Sequence, residues 1–132
     1  MKQRFAELLE VMRRELEQVP PAMRQDSVSR QVILHLLHQA VKEMGLVPVP
    51  AWKPPRSTRD RIDLVGVEPG SDPPQVEIAF SVNPLVELSG IKALEWVECP
   101  HKMVVTYSQR RDKVEQSRFF LTPQLKHLNL YE

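Results

Sequence analysis

The chain has 132 residues, 42% of them hydrophobic and 27% charged, with a formal net charge of +1. That length carries one domain around a single core, and the near-neutral balance argues neither for nor against a nucleic-acid partner. No apolar run approaches the roughly 18 residues of a membrane span, and the charged start MKQRFAELLE does not read as a signal peptide. The lone Cys99 excludes an internal disulfide and a cysteine-based zinc site, so a cytoplasmic protein with no membrane contact is expected.

The first predicted element is an amphipathic helix over residues 2–19, with Phe5, Leu8, Leu9, Met12 and Leu16 at helical spacing. Pro20 and Pro21 stop it. It forms an N-terminal extension, 1–21, ahead of a core spanning 26–132. Its stripe either packs on that core or offers a surface to a protein partner, a second copy of the chain being the natural one. A second helix starts at Asp26 or Ser27, either of which can cap it, and runs to Met44, with Gly45 as the stop signal. Its stripe is Ile33, Leu36, Leu37, Ala40, Val41 and Met44. Residues 46–60 carry four prolines and read as a short extended piece followed by an irregular loop.

Residues 61–67 and 75–82 then read as a hairpin. Branched apolar residues fill the first strand; the second alternates Val76, Ile78, Phe80 and Val82 against Gln75, Glu77, Ala79 and Ser81. The segment EPGSDPP supplies turn residues between them. A fold near Gly70 makes Asp63 and Glu77 cross-strand neighbours on the polar face. Two carboxylates held that way repel unless a cation or a proton intervenes. Asn83 is expected to cap a third helix with Pro84 at its first position, running to about Val97 and burying Leu85, Leu88, Ile91 and Leu94. KMVVTY, 102–107, is a buried strand, and SQRRDKVEQS is a polar connection with a helical turn. Residues 118–121 read as a last strand, and Pro123 opens a short terminal helix to Leu128. A hairpin followed by a helical crossover gives an α/β fold with a mixed central sheet flanked by helices.

Helix, IDLVGV, turn, VEIAFS, helix and KMVVT together resemble the restriction-endonuclease-like PD-(D/E)xK nuclease superfamily over roughly residues 27–107. The resemblance implies that Asp63 and Glu77 hold Mg²⁺ for DNA cleavage. It also implies a lysine two residues past the acidic one, to orient or activate the attacking water. That position is Ala79. Lys92, on the next helix, is the candidate replacement, since some members of the superfamily supply the lysine from there. The preceding helix, where the family often places a Glu, offers Arg30, Gln31 and His35, and its first acid is Glu43.

Each feature also has a plainer reading. Asp63 and Glu77 can be a solvated pair neutralised by Lys92, Arg59 or Arg61. His35 and His38 share a helix face but lack the Glu and third ligand of a hydrolytic zinc helix, so they border the apolar stripe. Cys99 is structural. The basic clusters weigh more: Lys53, Arg56, Arg59 and Arg61 precede the carboxylates, with Trp52 placed to stack a base, and Arg110, Arg111 and Lys113 follow the third strand. Two functions result, a Mg²⁺-dependent nuclease acting through Asp63, Glu77 and Lys92, or an inactive nucleic-acid-binding or assembly module on the same fold.

Overall fold

The computed structural model describes residues 2–57 and 60–131. In chain order the elements are α1 (Lys2–Gln18), α2 (Asp26–Glu43), β1 (Val47–Trp52), β2 (Ile62–Val67), β3 (Val76–Asn83), α3 (Leu88–Glu95), β4 (His101–Thr106), α4 (Arg111–Ser117) and β5 (Leu125–Asn129). Single 3-10 turns cover Pro21–Met23 and Arg118–Phe120. No described helix is long and apolar enough to cross a membrane.

The five strands form one sheet in the order β1-β2-β3-β4-β5. The first three are antiparallel, as short connections allow, and β3, β4 and β5 run parallel through two crossovers, the first carrying α3 and the second α4. The chain is therefore α/β with a mixed sheet flanked by helices.

Two apolar layers cover the two faces. The stripes of α1 (Phe5, Met12, Leu16) and α2 (Ile33, Leu37, Val41) pack on Leu64, Ile78, Phe80, Val82, Met103 and Val105. Ile91, Ala93 and Leu94 of α3 pack on Val65, Ala79 and Val104 of the opposite face. The α1 stripe is thus spent on the core of its own chain, with the Phe5 and Phe80 rings edge to face, centroids 6.3 Å apart. Gly45 ends α2 at φ 80°; its N–H donates to the Lys42 carbonyl at 2.9 Å and that of Leu46 to Val41 at 3.2 Å, satisfying two terminal acceptors.

Several sequence expectations need correction. Gln25, not Asp26 or Ser27, occupies the N-cap of α2, and its side chain makes no capping bond. Residues 47–52 are a full edge strand, whose Pro48 and Pro50 suit an edge because they lack the N–H a central ladder needs. Asn83 ends β3 instead of capping a helix, and α3 begins only at Leu88, which is 46% exposed. Residues 118–121 are a 3-10 turn and an extended residue, and the last element is strand β5, not a helix. The face of β3 expected to be polar is covered in part: Ala79 and Ser81 are buried beneath α3.

Candidate functional site

Where β2 begins, its ladder with β3 is replaced by side chains. The paired residues run from Leu64–Phe80 through Val65–Ala79 to Gly66–Ile78, with a bulge between Gly66 and Val67. One step beyond Leu64–Phe80, Asp63 lies alongside Ser81, and its Oδ2 accepts the Val82 N–H at 2.7 Å. Arg30, from the first half of α2, donates through Nη2 to Asp63 Oδ1 and through Nε to the Val82 carbonyl at 3.2 Å. Arg30 and Asp63 therefore clasp both backbone groups of Val82. Burial pushes the Asp63 carboxyl above its ordinary value, while the Val82 amide and Arg30 pull the other way. Behind the clasp, the Tyr107 hydroxyl donates to the Asp26 carbonyl at 3.2 Å, and burial, followed by the nearby Asp26, pushes that phenol up to about 12.

Asp63 borders two depressions. A small cleft of about 300 Å³ on the α3 side is lined by Asp60, Arg61, Asp63, Asn83, Ser89 and Gly90. A larger groove of about 770 Å³ runs between α2 and the β1–β2 edge, from Arg30 and Asp63 to Lys42. Its β wall includes Ala51, held in the left-handed region at φ 52°, whose carbonyl accepts from Arg61 Nη1 at 3.1 Å.

The expected opposition of Asp63 and Glu77 is not found. Glu77 falls beside the Gly66/Val67 bulge, four residues from Ser81 along β3, or about 13 Å at the rise of an extended strand. Its surroundings are those of Cys99 instead. Burial pushes the Cys99 thiol up, Lys102 opposes this, and Glu77 adds to the rise. Lys92 is exposed on α3 and lines neither depression beside Asp63. Among the described residues no three His, Cys, Asp or Glu side chains gather into a metal-holding group. With Asp63 committed to Arg30 and Val82, and Glu77 displaced, the residues present do not fit the Mg²⁺ ion that the nuclease resemblance implies.

The basic candidates are dispersed. Arg61 lines both depressions at Asp63. Lys53 and Arg56 are exposed on the loop between β1 and β2, and Arg59 lies outside the described residues. Arg110 lines a separate depression with Asp26 and Tyr107, and Arg111 another with Asn129 and Tyr131. Trp52 is half-buried against the α3-side core, so its ring is packed rather than presented. Sequence reasoning missed Arg30 as a partner of Asp63 and missed the groove residues His38, Gln39 and Lys42. A signal was there: Arg30 stands three residues before Ile33, continuing the sheet-facing stripe of α2 with a cation.

Comparison with known proteins finds no matching family model, no matching curated protein and no matching solved structure.

Proposed function

We propose that this chain is a restriction-endonuclease-like domain that binds nucleic acid without cleaving it. The observation that carries the reading is the Arg30–Asp63 pair. The helix, hairpin, helical crossover and parallel strand on which the resemblance rests are all present around it, with edge strand β1 standing between the helix and the hairpin. Within that order Asp63 is the expected first carboxylate, yet a guanidinium takes the place a divalent cation would need. Ser81 and Asn83 are its neighbours on β3, where a second carboxylate and a lysine would serve cleavage. Neither carries the negative charge that helps hold Mg²⁺ or the positive charge that would help activate a bound water. What remains around the paired Asp63 is a surface with Arg61, Lys42 and two histidines, suited to phosphate and bases rather than to hydrolysis.

The test is a cleavage assay run beside a binding assay, with single- and double-stranded oligonucleotides in Mg²⁺ and in Mn²⁺. Wild type is expected to bind, with affinity falling as salt rises, and to leave the strands intact. Cleavage by wild type that disappears in both Asp63→Ala and Lys92→Ala would restore the nuclease reading. Absence of any binding would remove the nucleic-acid reading altogether.

A further inference from the structure

We infer that the groove between α2 and β1 is the track of a short single-stranded segment of nucleic acid. Lys42 and Arg61 hold its phosphates, and His35 and His38 stack its bases. This rests on the nucleic-acid reading above and adds the path and the strandedness.

Shape is the first argument. The groove is concave, and its volume of about 770 Å³ falls in the range of sites that enclose small ligands, about 300–1,000 Å³. Readers of a duplex instead insert a convex helix or ribbon into a major groove about 12 Å wide. Here the helix forms a wall. Its polar positions succeed one another turn by turn along that wall, from the exposed Gln31 and His35 through the half-buried His38 to the exposed Lys42, about 16 Å at the helical rise.

Chemistry is the second. Asp63 is the sole carboxylate among the residues lining the groove, and Arg30 pairs with it. Lys42 and Arg61 have no carboxylate partner among the described residues, so the rim offers two uncompensated cations to phosphates. Leu34, Pro50 and Leu64 give the groove apolar surface. Imidazoles are stacking partners for unpaired bases, and glutamine amides can reach base edges that a duplex keeps covered. A positive rim with stacking platforms is the combination that single-strand binders use.

The experiment is fluorescence anisotropy on the full chain with labelled oligo-dT, oligo-rU and a duplex, each of about 12 nucleotides, a length within the site sizes of single-strand binders. Salt is varied between about 50 and 200 mM. Single strands are expected to bind more tightly than the duplex, and the tighter of oligo-dT and oligo-rU assigns DNA or RNA as the ligand. Lys42→Ala should flatten the dependence of log K on log salt by about 0.7. His38→Ala should weaken binding by about fivefold or more, the loss of one stacked base. Gln39→Glu, which adds a negative charge at an exposed position, should also weaken it, whereas Arg14→Ala on α1 should bind as wild type. Duplex bound as tightly as single strands overturns the proposal. So does wild-type binding by groove variants that also melt like wild type. If binding then falls in Lys53→Ala or Arg110→Ala, the nucleic-acid reading stands and only the groove is wrong. If no oligonucleotide binds, both readings fall.

Discussion

Asp63 has one oxygen on the Val82 amide and the other on Arg30, and the two side chains are 19% and 33% exposed. A half-buried pair of this kind gains little over well-packed apolar residues, but removing one partner leaves a desolvated charge behind. Arg30→Ala should therefore cost about 1–3 kcal/mol in urea unfolding, the range for a lost charged hydrogen bond. A neutral result would mean that water reaches Asp63 freely. The pH dependence has a definite sign. Burial holds the Asp63 proton to a higher pH in the folded protein than in the unfolded chain, so across that window the native state binds more protons. The contribution of Asp63 to stability falls as pH rises through the window and stays at its lowest above it. The stability of wild type minus that of Asp63→Asn should accordingly decline from about pH 4 upward, starting near the ordinary carboxyl value. An increase over the same range would contradict the assigned direction. The sequence correctly put Asp63 on a strand. It offered Glu77 as the cross-strand neighbour and could not supply Ser81, because register across a long Pro- and Gly-containing turn is set by turn geometry and by the bulge at Gly66/Val67. A slip of four residues along β3 exchanges Glu77 for Ser81.

Elements with strong patterns were legible: α1, α2, β2, β3 and β4 lie within a residue or two of their expected bounds. The C-terminal segment was not. Leu125 and Leu128 are three residues apart, which serves a helix stripe, and Pro123 suits a helix start. As a half-buried edge strand, β5 shows no clean alternation, and its identity comes from pairing with β4, Lys102 to Leu125 through Thr106 to Asn129. The start of α3 was misplaced for a related reason: Asn83 is still laddered to Thr106, so it cannot turn into a helix cap. What seats α3 on the sheet is Gly90. A Cβ there would lie 2.2 Å from Ser81 Oγ, with Asn83 Nδ2 next at 3.3 Å and Ser81 Cβ at 3.4 Å. Gly90→Ala should destabilise by about 1–3 kcal/mol, the usual cost of overpacking. Adding Ser81→Ala removes the clashing atom and leaves Asn83 Nδ2, at 3.3 Å, to give by a few tenths of an ångström, so the double variant should regain part of that loss. Strictly additive losses in the double-mutant cycle would place the α3–β3 contact elsewhere.

For the whole molecule, the open question in the sequence was whether the first helix belongs to the core or to a partner. Helical spacing identifies a stripe but not what covers it. The fold gives α1 a place: Phe5, Met12 and Leu16 are buried with the α2 stripe and the sheet, and Arg13 Nη1 donates to the Leu130 carbonyl at 2.8 Å beyond the end of β5. One face of the sheet thus depends on the helix that precedes Asp26, and that helix is tied to the segment after β5. Phe5→Ala should cost about 3–5 kcal/mol, as truncation of a buried aromatic does. A chain beginning at Asp26 would uncover apolar surface around Phe80 and Leu128, a patch that favours association. Circular dichroism should show the truncated chain losing its cooperative melt, and light scattering should show mass above the monomer. A truncated chain that stays monomeric and melts within a few degrees of the full chain would mean that α1 is dispensable to the core and free for another surface.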